Sequence, residues 1–162
     1  MLFGKRRRDA PFEDVDTAHV FRHQSTFLVC SVEHLTLFPG LQQVVPSAVL
    51  TSPTSEELGS TTLAALERNR RGVDRPEDEL RNDDDELPAL LGFKSTHEMA
   101  AKTARVSVRR IGTKSFTLLR LRTEDDKPVA YGAEEATLEI EANVERELGE
   151  AIEALLDSNE QP

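Results

Sequence analysis

Apolar and polar positions along the chain predict a strand-rich fold punctuated by a few helices. Residues 17–33 (TAHVFRHQSTFLVCSVE) are rich in β-branched and aromatic side chains. They predict one strand or a pair, with 26–33 the clearer part. Pro39-Gly40 marks a turn. The apolar stretch Val44-Val45 and Ala48-Val49-Leu50 surrounds Pro46. Proline lacks a backbone donor, so an edge strand or an irregular connection is expected there. Further on, ARVSVRRI alternates around Val106 and Val108, and SFTLLRLR carries Phe116, Leu118, Leu119 and Leu121. ATLEIEA puts Ala136, Leu138 and Ile140 on one face. Ile111-Gly112-Thr113-Lys114 reads as a hairpin turn, so 105–111, 115–122 and 134–141 predict an antiparallel meander. Arg120 and Arg122 take the parity of Glu139 and Glu141 in it, which predicts cross-strand Arg–Glu pairs.

Helical signals appear in four places. In TSPTSEELGSTTLAALERNRRG, Thr54 and Glu57 have capping-box spacing, and Leu58, Thr62, Ala65, Leu66 and Asn69 share a face. The predicted helix runs over 54–71, with Arg68, Arg70 and Arg71 in its last turns and Gly72 as its stop. LPALLGF predicts a short helical piece ending at Gly92, and Ser95 with Glu98 predicts a second capping box over STHEMAAK. The last helix is expected from about Asn143, as its cap, to Leu156. The two longest helices echo each other: EELGSTTLAAL (56–66) and RELGEAIEALL (146–156) align Leu58 with Leu148, Gly59 with Gly149 and Leu66 with Leu156. Glycine inside a helix costs about 1 kcal/mol relative to alanine, so two at matching places imply close backbone packing.

The elements predict an α/β fold of the α+β type: a mainly antiparallel sheet packed with amphipathic helices in a single domain. A length of 162 residues suits one domain. The expected division is a basic tail over 1–16, a domain over 17–157 with a mobile acidic loop at 74–86, and a tail over 158–162. Charge is segregated beneath a net value of −10. Lys5, Arg6, Arg7 and Arg8 precede any acid; 74–86 hold eight acids and two bases; 94–122 hold eight bases and Glu98; 133–162 hold ten acids and Arg146. An acidic chain repels phosphate backbones, so direct nucleic-acid binding is not expected. No apolar run approaches the ~20 residues of a membrane span, and no apolar segment follows the basic start, so the expected address is cytoplasmic.

Candidate chemistry is sparse. One cysteine, Cys30, permits no intramolecular disulfide, and its apolar setting predicts an inert thiol. His19 and His23 have an i, i+4 spacing, but on a strand that spans about 13 Å, too far to share a metal. His34 and His97 add no ligand spacing, and no nucleophile elbow or phosphate loop occurs. No cofactor, metal site or catalytic residue is therefore expected. A metal-dependent hydrolase using the histidines, or an adaptor with an unrelated partner, are the competing readings.

The apolar approach VVPSAVLTSPTSEELGSTTLAALERNRRGV, the helix pair and strand LLGFKSTHEMAAKTARVSVRRIG, and the terminal ELGEAIEALL occur in an ordered set over residues 44–156. In that order they resemble the immunity proteins of bacterial contact-dependent growth inhibition systems. Where that family often has Ser-Arg at the end of its first helix, this chain reads Asn69-Arg70. The resemblance implies a non-enzymatic inhibitor that binds one-to-one to the cognate C-terminal toxin domain. Toxins of these systems are frequently basic nucleases, many acting on transfer RNA. An acidic inhibitor suits such a partner, since complementary charge speeds encounter. The toxin-facing residues expected from charge are Asp83, Asp84, Asp85 and Glu86 in the linker, then Glu150, Glu153 and Asp157 away from the apolar stripe of the last helix.

Overall fold

Two three-stranded meanders meet side by side in one sheet. The computed structural model describes residues 15–36, 42–75, 86–123 and 132–158. The first meander is β1 (Asp16–His23), β2 (Thr26–Leu35) and β3 (Gln42–Thr51), followed by helix α1 (Ser55–Glu67) and the short strand β4 (Arg70–Val73). A helical turn at residues 86–90 and helix α2 (Thr96–Lys102) lead to β5 (Ala104–Arg110), β6 (Ser115–Thr123), β7 (Gly132–Glu141) and helix α3 (Glu145–Asp157). The sheet order is β3-β2-β1-β5-β6-β7, antiparallel along this path, with β4 pairing parallel to the end of β2. This is a single α+β domain. The basic start and most of the acidic stretch expected as a loop lie outside the described residues.

Strand parity sorts the side chains. Ala18, Val20, Phe27, Val29, Val106, Val108, Phe116 and Leu118 meet Leu58, Leu66, Leu148, Ile152, Leu155 and Leu156 of α1 and α3 in the main core. The opposite parity puts Phe21, Leu28, Cys30 and Val44 on the second face, where Leu87, Leu91, Phe93 and Met99 cover them. Pro46 sits in the edge strand β3 beside a register shift, where its missing donor breaks no ladder in the sheet interior.

The two halves are copies of one βββα unit related by a pseudo-twofold axis. The β1–β5 ladder is symmetric about His19 and Ser107: Ala18 faces Val108 and Val20 faces Val106. Two equivalent ion pairs bridge the halves: Arg22 of the first meets Asp157 of the second, and Arg110 of the second meets Glu67 of the first, both at 2.6 Å. The Ser52 amide bonding Ser25 matches that of Ala142 bonding Lys114. The axis also relates the matching helix glycines. A Cβ on Gly59 would lie 1.8 Å from the Glu145 carbonyl oxygen, and one on Gly149 would lie 1.8 Å from that of Ser55. The α1 and α3 backbones therefore touch, and only glycine fits at the crossing.

Four local expectations are corrected. Helix α1 stops at Glu67 rather than 71, and Arg70 and Arg71 belong to β4. The cause is Asn69, whose side chain accepts from the Thr17 amide and donates to the Thr17 carbonyl, both at 2.8 Å, turning the chain onto the sheet. Arg71 and Arg70 then meet Asp16 and Glu33, and Gly72 takes a positive φ within β4. Helix α3 is preceded by Val144 with no side-chain cap, in place of Asn143. Arg120 makes no cross-strand pair with Glu139. It shares the helix-facing parity of Phe116 and Leu118 and donates to the Leu155 and Leu156 carbonyls at the end of α3. The box at Thr54 and Glu57 forms in full, whereas at α2 Ser95 accepts from Glu98 while Glu98 reaches the Lys94 amide instead.

Candidate interaction surface

The chemistry-bearing side chains of the second sheet face are sealed. His19 is 1% exposed, and neither ring nitrogen has a hydrogen-bond partner among the described residues. Burial, with the nearby Arg105 and Arg109 charges, holds its pKa well below the usual histidine value, so the ring is neutral. Burial pushes the Cys30 thiol up, which removes the thiolate that nucleophilic or redox chemistry needs. Arg105 is fully buried, with its guanidinium carbon 5.4 Å from the Phe21 ring centroid. Gly132 makes room for it: a Cβ there would lie 2.0 Å from Arg105 Nη2. The remaining histidines are dispersed. His23 lies against Phe93, with ring centroids 4.7 Å apart and its Nδ1 3.2 Å from the Lys102 carbonyl, while His34 is on β2 and His97 on α2. Among the described residues, no three His, Cys, Asp or Glu side chains gather to hold a metal.

The acids singled out from the sequence fall on two sides of the sheet. Glu86 is exposed beside Leu87, which packs on the second face, whereas Glu150, Glu153 and Asp157 lie on α3, over the first. Asp83, Asp84 and Asp85 lie outside the described residues. The three helix acids are not equally available. Glu150 is exposed and 3.5 Å from Arg146. Glu153 is half-buried and accepts from Ser55 Oγ at 2.9 Å, and Asp157 pairs with Arg22. Glu150 and Asp157 do face water, as expected, whereas Glu153 does so only in part, because the start of α1 brings Ser55 against it.

Other carboxylates, which sequence reasoning placed in strand pairs, are the ones left open. Glu139 stands opposite Thr117 and Glu141 opposite Ser115, so neither meets an arginine across the ladder. Both are exposed on the edge strand β7, as is Glu145 at the start of α3. Ladder register decides this, and parity counting alone could not supply it, because Arg120 turned toward the helices.

No family model matches the sequence, and no curated protein matches it. Solved structures do. A protein of unknown function from Neisseria meningitidis superimposes with a TM-score of 0.62 at 17% identity, covering 90% of this chain and 95% of that one. A chain of the CdiA-CT/CdiI toxin and immunity complex from Yersinia pseudotuberculosis superimposes with a TM-score of 0.67 at 12% identity, covering 88% and 96%. The likeness is one of fold. It spans nearly the whole of both neighbours. No described helix is long and apolar enough to cross a membrane.

Proposed function

We propose that this chain is an immunity protein that binds and neutralises the C-terminal toxin domain of a contact-dependent growth inhibition system. The observation that carries the reading is the near full-length likeness to a chain of the Yersinia toxin and immunity complex. The burial of His19 and Cys30 supports an inhibitor rather than an enzyme, since neither can reach a substrate. The same dispersal of histidines weighs against the metal-dependent hydrolase. The net charge of −10 suits a basic partner, and a nuclease, including one acting on transfer RNA, is such a partner. The inhibitor works in the cytoplasm of the producing cell and binds its toxin one-to-one. Asp83, Asp84, Asp85 and Glu86 steer the encounter, with Glu150, Glu153 and Asp157 as secondary contributors.

The test is co-expression with the toxin domain encoded beside this chain's gene. Growth should be rescued, and the two purified proteins should form a one-to-one complex. Neutralising the four linker acids together should slow association several-fold and flatten its salt dependence, because screening at ~0.15 M acts over about 8 Å. Absence of binding to any neighbouring gene product would overturn the reading.

A further inference from the structure

The pseudo-twofold makes each half a reference for the other, and at one place the copies differ in a way that points outward. The β1–β2 connection is the two-residue turn Gln24-Ser25 between His23 and Thr26, with Gln24 at positive φ, whereas three residues, 112–114, join the equivalent positions Ile111 and Ser115. The Arg22 and Arg110 salt bridges fix the correspondence, so Ile111 stands where His23 stands in the first half. His23 is covered by the chain itself, through the edge of Phe93. Ile111 is covered by nothing described and is 52% exposed. Val144, 48% exposed, lies at the same end.

Three open clefts share lining residues around this turn. One runs past Ile111, Phe116, Glu139 and Glu141; a second past Phe116, Val144, Glu145 and Leu148; a third between Glu67 and Ile111. The turn is held in shape: the Ile111 amide bonds the Ser115 carbonyl and the Ala142 amide bonds that of Lys114, both at 2.9 Å. The rim is acidic. Glu139, Glu141 and Glu145 are exposed, against Lys114 and an Arg110 already bound to Asp16 and Glu67.

We infer that this end of the sheet, centred on Ile111, is the docking surface for a cationic protein segment carrying a large apolar side chain, supplied by the toxin domain. The inference rests on the immunity reading. The occupant follows from two facts. The equivalent position in the first half is filled by an aromatic ring. The carboxylate rim of a chain of net charge −10 disfavours a second copy of itself, an anionic lipid surface or a nucleic acid. An apolar anchor in a cleft with a charged rim is the arrangement in which a few residues carry most of the affinity.

The experiment measures binding of the neighbouring-gene toxin domain to wild type, Ile111→Asp, the double variant Glu139→Lys with Glu141→Lys, and the control Val49→Asp. Val49 is 47% exposed on β3, the other edge of the sheet. Circular dichroism melting confirms folding of each. Ile111→Asp should weaken binding about tenfold or more, and the double variant should chiefly slow association, while Val49→Asp stays within about twofold. Equal affinity of wild type, Ile111→Asp and the double variant would overturn this surface and leave the immunity reading intact. A wild type that does not bind the toxin at all overturns both. A self-associating wild type made monomeric by Ile111→Asp would assign the face to a second copy and overturn the inference.

Discussion

Gly149→Ala adds a single methyl at the point where α1 and α3 cross. Its carbon would lie 1.8 Å from the Ser55 carbonyl oxygen and 2.6 Å from the Ser55 carbonyl carbon. An ordinary carbon–oxygen contact is about 3.3 Å, so the helices must move apart by more than 1 Å, roughly. The obstacle is backbone, which cannot rotate away as a side chain would. Overpacking costs about 1–3 kcal/mol, and a backbone clash belongs at the upper end. Alanine returns about 1 kcal/mol through helix propensity. The net loss is therefore about 2 kcal/mol, or roughly 4–8 °C in melting temperature for a domain of this size. Gly59→Ala should behave alike, because the pseudo-twofold gives it the same 1.8 Å approach to Glu145. The double variant should cost less than the sum of the two, since helices already parted accommodate the second methyl. Leucine at either site should be worse. Thermal and urea unfolding followed by circular dichroism measure all of this. An unchanged or raised midpoint for both alanine variants would refute the crossing.

Other outcomes follow from buried polar groups. Asn69→Ala should lose about 2 kcal/mol in urea unfolding, because the Thr17 amide and carbonyl both lose their partner. Arg120→Met should lose about 2 kcal/mol by exposing the Leu155 and Leu156 carbonyls to an apolar neighbour, and exchange of amides in the last turn of α3 should quicken. His19 gives a pH dependence of known sign. The unfolded ring takes up a proton near 6.5, while the folded ring, buried beside Arg105 and Arg109, does not. Stability should fall as pH drops below that value and be unaffected by this group above it. Melting scans on wild type and His19→Leu should show the variant's profile flatter on the acid side; an identical slope would place the effect elsewhere.

Much of the architecture was legible because it rests on local pattern. The meander after residue 104, the turn at 111–114, the box at Thr54 and Glu57, and the edge position of Pro46 all follow from parity, propensity or a missing donor. What escaped depends on partners distant in sequence. Arg70 and Arg71 resemble helix-ending cations until Glu33 and Asp16 are seen to receive them. Arg120 resembles a surface strand residue until the end of α3 arrives above it. The duplication showed only in the helices, because equivalent strand positions have diverged: Phe21 and Leu28 in the first half correspond to Arg109 and Thr117 in the second. The candidate surface was hidden for a different reason. Alternation states that Ile111 is apolar and cannot state that it is left half exposed.

The repeated βββα unit also bears on how the chain reaches its native state. Contacts within each meander join residues close in sequence, whereas the central β1–β5 ladder and the helix crossing join residues about a hundred positions apart or fewer, from one unit to the other. Folding is then the association of two partners that happen to share a backbone. The connection between them replaces an encounter set by protein concentration with one at an effective concentration in the millimolar range, which dilution cannot reduce. A symmetric assembly of two separate chains would come apart at the low copy number of a scarce protein; the tethered pair stays closed at any abundance.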